Sequence, residues 1–302
     1  MNFLKSPSLK IVLLFFACNI IALLYMFSIL ELKEKHLDVY SNIIVEEKPT
    51  QEPILAVFIV VSMILFSFLN LFLIKWFKTK IILALVEKIA IFVSIFLFVF
   101  PFLFLQIQYL AFLVGFLIAI IFLFIKRFAA FRNLIAIIMF ATTSTIFAFS
   151  LGLDVLLIIG ILLSIYDYLA TFKTKHMLDL AKTVAKDRLI FAIYAQPDQS
   201  ELLPKNYAQK NISSSEGFEN KPKAQGAMLL GGGDIFMAVS LAIASALEID
   251  LISFAFVALF NVIAIFLIIY FVSKKKVALA ALPPIVFSSA LAILIRIFLK
   301  FV

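Results

Sequence analysis

The sequence predicts an all-α, polytopic membrane protein with nine transmembrane helices. Three observations carry that reading. The 302 residues are 65% apolar and 15% charged, with a mean hydropathy of +1.16. A soluble domain holds about 45–50% apolar and about 25% charged residues, so this excess does not fit inside a single water-facing core. The apolar residues fall in runs near the ~20 that cross a bilayer, and lysines and arginines gather in every second connection between them.

The spans follow in order. Lys5 and Lys10 precede an apolar run from Ile11 to Leu30, which is long for a signal-peptide core and ends without a small-x-small cleavage site; the first span, 9–30, is therefore retained. The second, 54–74, lies between Pro53 and Lys75. The third, 81–102, starts after Lys80 and is divided from the fourth, 107–125, only by Pro101 and Gln106–Gln108. The fifth and sixth, 133–151 and 153–172, lie between Arg132 and Lys173. After a long polar connection come the seventh, 225–247, the eighth, 251–272, and the ninth, 277–299, with Lys274–Lys276 between the last two. Three parts result: residues 1–185 with spans one to six and a trailing amphipathic helix over Lys173–Lys186, a flexible loop at 186–224, and residues 225–302 with the last three spans.

Charge sets the orientation. Lys5, Lys10, Lys75, Lys78, Lys80, Lys126, Arg127, Arg132, nine basic residues from Lys173 to Lys223, and Lys274–Lys276 make twenty on one side, against Lys33, Lys35, Lys48 and Lys300 on the other. The positive-inside rule puts the N-terminus in the cytoplasm and, with nine spans, the C-terminus outside. The net charge of +8 is spread over short connections, which excludes a nucleic-acid-binding stripe and suits an anionic lipid surface instead. Cys18, the single cysteine, excludes an internal disulfide and a cysteine-based zinc site.

An ionisable group inside a span costs about 2.5–3.5 kcal/mol and needs a reason. Glu87 lies within two turns of a span end, where snorkelling or pairing with other helices accounts for it; Arg296, one turn from the outer end, snorkels; and Thr142–Thr145 read as packing groups between helices. Asp167 and Asp234 are different, because they lie on consecutive antiparallel spans at similar depth. Helical rise puts Asp167 roughly 8–9 Å, and Asp234 roughly 13 Å, from the basic side if both segments are helical throughout. Two carboxyls that meet cannot both ionise, so one keeps its proton. Such a pair can activate water and polarise a peptide carbonyl; it can equally relay protons in a transporter.

The flanking residues weigh on that choice. Gly231, Gly232 and Gly233 remove side chains just before Asp234, permit φ > 0, and admit a close, extended backbone. Ala280-Ala281-Leu282-Pro283-Pro284 interrupts the last span at a similar depth, where the prolines free carbonyls from helical pairing.

Tyr166-Asp167, Gly231-x-Gly233-Asp234 and Ala281-Leu282-Pro283, in that order on the sixth, seventh and ninth spans, resemble the YD, GxGD and PAL motifs of the presenilin and signal peptide peptidase family of intramembrane aspartyl proteases. Tyr166–Ala185 is similar to the archaeal presenilin homologues. The resemblance implies that Asp167 and Asp234 are the catalytic pair, that Tyr166, Gly231, Gly232, Gly233, Ala281, Leu282 and Pro283 meet the substrate, and that neither metal nor organic cofactor takes part. It also implies substrates that are single transmembrane helices, within a prokaryotic, archaeal-type cell membrane. One departure stands out: Ala280 occupies the place of the PAL proline, and a further proline follows at Pro284. The expected activity is endoproteolysis within the bilayer; a proton-coupled transporter or cation leak channel using the same carboxyls is the alternative.

Overall fold

In hydrocarbon every backbone N–H and C=O must be satisfied within the chain, which makes helices the economical form for apolar runs of this length. A computed structural model describes residues 7–35, 57–62, 65, 80–107, 110–125, 129–172, 192–195, 228–275 and 280–301. Its helices are α1 (Pro7–Lys35), α2 (Lys80–Phe104), α3 (Ala111–Ile125), α4 (Ala129–Phe172), α5 (Gly232–Glu248), α6 (Leu251–Lys275) and α7 (Leu282–Phe301); two strands, β1 (Ala192–Ala195) and β2 (Met228–Gly231), precede α5. Residues 57–62 are also helical. The rest of the expected second span, the acidic connection beyond Lys35, the amphipathic helix over Lys173–Lys186 and most of 186–224 lie outside the described residues.

Helix α4 has 44 residues, about 66 Å of rise against a hydrocarbon core of about 30 Å. It is two helical limbs, divided at Gly152, whose φ of 74° and ψ of 171° are non-helical and open to glycine at little cost. An N-terminal limb up to Leu151 and a C-terminal limb from Leu153 thus match the expected fifth and sixth spans. Among the described residues, five helices by length and composition could cross a membrane, the whole of α4 counting once.

Two expected boundaries are corrected. The seventh span does not begin near Gln225: residues 228–231 form β2, and the helix opens at Gly232. Strand β2 pairs antiparallel with β1, Ala192 opposite Gly231 and Ala195 opposite Met228, so the all-α expectation gains a small sheet, one strand of it inside the segment read as a flexible loop. A short apolar run such as Met228–Leu230 carries too few residues for periodicity to separate strand from helix. The ninth span begins at Leu282, not 277. Pro283 and Pro284 fall in its first turn, where a missing N–H breaks no bond, so they start the helix where interruption was expected.

Helix α5 is the centre of the bundle. Ile235 and every residue from Met237 to Ser245 are buried, as befits a helix enclosed on all sides. It packs against α4 most extensively, then α6, α7 and α1, while α2 and α3 form a hairpin against α4. Phenylalanine edges join that hairpin: Phe92–Phe116 and Phe96–Phe112 meet at 5.3 and 5.4 Å. Ser144 Oγ donates to the Phe236 carbonyl at 3.0 Å and Thr145 Oγ1 to the Ala22 carbonyl at 3.4 Å, the interhelical role expected of that cluster.

A polar node locks the last three helices. Asn261, fully buried on α6, donates to the Ala238 carbonyl of α5 at 3.3 Å and accepts from the Ser288 and Ser289 hydroxyls of α7, both at 2.8 Å. Asn261→Leu loses these bonds while the serines keep their bonds to the Ile285 carbonyl. It is expected to cost about 1 kcal/mol, read as a lower unfolding midpoint in detergent.

Charged residues collect at the Gly152 end. Arg296 pairs with Asp250 at 2.6 Å, so it is bound to a partner on the α5–α6 turn and does more than snorkel. The guanidinium, with help from Ser253, holds the Asp250 carboxyl well below the usual carboxylate range.

Candidate active site

Asp167 lies five residues before the end of α4, half-buried, with the Thr171 hydroxyl one turn on at 3.4 Å from its Oδ1. The backbone N–H of Leu282 also faces its carboxyl. Leu282 is the first residue of α7, and first-turn N–H groups have no partner within their own helix, so this donor is free to point elsewhere. Pro283, next in line, has no N–H to compete.

Asp234 is the third residue of α5, in the first turn, where the helix dipole favours negative charge. The N–H of Gly231, the last residue of β2, faces its carboxyl. Gly231 is extended, with φ −62° and ψ 142°. A Cβ built on it would stand 2.9 Å from Asp234 Oδ2, so this glycine is there for close approach of its backbone to the carboxyl. The left-handed turn that three glycines would allow is not used: among the described glycines only Gly152 has a positive φ. Gly232 is buried, whereas a Cβ on Gly233 would meet nothing within 4 Å.

The strand, the helix start and the broken helix thus bring the two carboxyls close enough for charge on Asp167 to act on Asp234. Two apolar cavities are lined by residues of the elements that carry them. One, of about 650 Å³, lies between α6 and α7 and is lined by Tyr168, Ala280, Pro283, Pro284 and Phe287, among others. The other, of about 510 Å³, lies between α2, the N-terminal limb of α4 and the start of α5, with Ser94, Thr142, Thr143, Gly232 and Gly233 in its wall. Tyr168 follows Asp167 and Gly233 precedes Asp234 in the chain, so each cavity has in its wall a residue next to one of the aspartates, although neither aspartate lines either of them.

Of the other residues singled out by sequence, Ala281 and Leu282 are buried beside the pair and Pro283 lines the first cavity. Tyr166 is half-buried and lines neither cavity. Sequence reasoning missed Tyr168, Ser94 and the Phe147–Phe236 edge contact at 5.0 Å. Tyr168 was legible: it adjoins Asp167 and is a polar-tipped ring within a span. Ser94 carries no local signal, since its role comes from the packing of α2 against α4.

Comparison with known proteins agrees with the geometry. A sequence model described as "Signal-peptide peptidase, presenilin aspartyl protease" matches residues 12–301. The fold is similar to a presenilin family intramembrane aspartate protease solved in space group C222, with a TM-score of 0.65 and 16% identity over 97% of this chain and 99% of that one. A structure of a presenilin family intramembrane aspartate protease in space group P2 matches with a TM-score of 0.65 and 17% identity over 96% and 97%. At such identities the structural likeness speaks for the fold alone. No curated protein sequence matches. Since the family model runs over nearly the whole chain, the protein belongs to the signal-peptide peptidase and presenilin family, and it is an integral membrane aspartyl protease.

Proposed function

We propose that Asp167 and Asp234 are the catalytic pair and that they hydrolyse peptide bonds inside transmembrane helices of membrane-protein substrates. The observation that carries this reading is the approach of the two carboxyls, with the first-turn N–H of Leu282 facing Asp167 and the N–H of Gly231 facing Asp234. The ionised carboxylate takes a proton from a water held between the two as its oxygen attacks the scissile carbonyl carbon. The protonated carboxyl gives its proton to the carbonyl oxygen, forming a neutral gem-diol. Collapse of that intermediate breaks the C–N bond, returns a proton to the leaving nitrogen and yields a new acid and a new amine.

A peptide bond in a helix is shielded from attack, so the substrate must be extended at the cut. Strand β2 ends three residues before Asp234, and a substrate strand added to this small sheet would run past the carboxyls. Gly231, Gly232 and Gly233 would leave room for it, Tyr166 would border it, and Ala281, Leu282 and Pro283 would hold its other side. The charge alternation supports nine spans with a cytoplasmic N-terminus, and the archaeal-type stretch Tyr166–Ala185 supports a prokaryotic cell membrane. The family match favours proteolysis over proton or cation transport by the same carboxyls.

The test uses the full chain in lipid vesicles with a labelled single-span peptide. The expected products are cut within the apolar segment, sum in mass to the peptide plus one water, and contain no hydroxamate when hydroxylamine is present, because direct attack by water leaves no acyl-enzyme to trap. A hydroxamate would overturn the mechanism; ion flux with an intact peptide would support transport instead.

A further inference from the structure

Glu248 ends α5 at the far end from Asp234, and its Oε1 accepts a hydrogen bond of 2.6 Å from the backbone N–H of Leu153. Leu153 is the first residue after the Gly152 break, so its N–H is one that the C-terminal limb of α4 cannot satisfy internally. A carboxylate there gains both the hydrogen bond and the favourable field of the helix start. The bond therefore joins the tail of the helix that carries Asp234 to the head of the limb that carries Asp167.

The spacing from that bond is the same on both helices. Asp167 lies fourteen residues from Leu153, and Asp234 lies fourteen residues from Glu248. Along two antiparallel helices each distance is about 21 Å, which puts the carboxyls at one level. A slip of a single residue would offset them by about 1.5 Å and turn one of them about 100° away.

Apolar packing between the two helices shares in holding that register, and the Leu153–Glu248 bond adds a directional, polar contact at its end. Midway along the limb, Met237 and Val286 pack closely on the bare backbone of Gly160, their side-chain carbons 3.2 Å from a Cβ built there, so this crossing is held by apolar contact. The Ser144 bond to the Phe236 carbonyl fixes the N-terminal limb, on the other side of the Gly152 break.

We propose that the Leu153–Glu248 hydrogen bond is a register pin that sets Asp167 level with Asp234, making Glu248 a positioning residue for hydrolysis. The proposal rests on the reading of Asp167 and Asp234 as the catalytic pair. It is tested by kcat and KM for a labelled single-span peptide, measured on the full chain in detergent well below each variant's unfolding midpoint. Glu248→Ala is expected to lower kcat about tenfold with KM little changed, as misplacement of reacting groups does. Glu248→Gln, whose amide oxygen still accepts, restores most of the rate. Leu153→Pro removes the donor from the other side at a first-turn position that proline tolerates, and it also lowers kcat. The double variant Leu153→Pro/Glu248→Ala is no slower than the slower single, because both remove one bond.

Wild-type kcat in Glu248→Ala, or losses that multiply in the double variant, would overturn the pin. Should Glu248→Ala fail to fold, Leu153→Pro decides in its place: a wild-type kcat overturns the proposal and a lowered kcat with unchanged KM supports it. Asp167→Asn runs alongside. If it still cleaves, the catalytic pair and the pin fall together; if it is silent while Glu248→Ala is fully active, the pin alone falls.

Discussion

Asp234→Asn and Asp167→Asn are each expected to give a folded protein that cleaves roughly 10²–10⁴-fold more slowly than wild type. The amide has the shape of the carboxyl, and its oxygen still accepts from the Gly231 N–H at Asp234 or from the Leu282 N–H at Asp167. Asparagine, however, can neither ionise to take a proton from water nor cycle the proton needed by the leaving nitrogen. Each substitution also replaces one of two ionisable carboxyls in an apolar setting by a neutral amide, so the variants should unfold no earlier than wild type. That separates lost chemistry from lost structure. Cleavage of a labelled single-span peptide, with the thermal midpoint of each preparation, checks it; a variant that keeps wild-type activity would remove its aspartate from the mechanism.

Gly231→Ala is the second large effect. The new Cβ would stand 2.9 Å from Asp234 Oδ2, closer than real carbons come to an oxygen. The backbone of Gly231 is extended and suits alanine, so the fold has no reason to fail. What gives way is the carboxyl, the mobile end of a side chain, and it moves away from the site where it must meet water. A fall in kcat of about ten- to a hundredfold is expected, with the unfolding midpoint little changed. Gly233→Ala makes the contrast: its Cβ enters open space, so any loss should appear in KM, through the substrate and not through the aspartate. Equal effects of the two on kcat would mean that the Gly231 contact does not position Asp234.

These expectations show which parts of the molecule could be read from the chain. Both aspartates were conspicuous because charge in an apolar run is costly, and the bounds of α2 and α6 lie within three residues of those expected, whereas α1 continues five residues past Leu30 through the charged Glu31–Lys35. The start of α5 was not legible in the same way. Hydrophobicity runs on through Met228–Leu230, but pairing with β1, more than thirty residues earlier, makes those residues a strand. The prolines of α7 were misread for a related reason: inside a helix they break it, in the first turn they begin it, and only the position of the turn decides. Glu248 and Asn261 drew no notice, since each owes its role to a partner on another helix. Arg296 was read as a lone snorkelling side chain because Asp250, its partner, is remote in sequence.

With Asp167 and Asp234 as the proposed cutting pair, the equal fourteen-residue spacing also bears on the products. Taking the charged group Glu248, Asp250 and Arg296 at the Gly152 end as the edge of the hydrocarbon layer puts the carboxyl level about 21 Å below it. In a hydrocarbon layer of about 30 Å that leaves about 9 Å on the other side, or some six helical residues. A spanning helix cut at this level is divided unequally. The longer fragment keeps most of its apolar length and stays in lipid. The shorter one keeps too little to be held there, at about 0.8 kcal/mol per buried methylene, and partitions into water. On that reading release is built into the depth of the cut: one half of the substrate would be set free on the carboxyl-proximal side, while the other would diffuse away laterally within the bilayer.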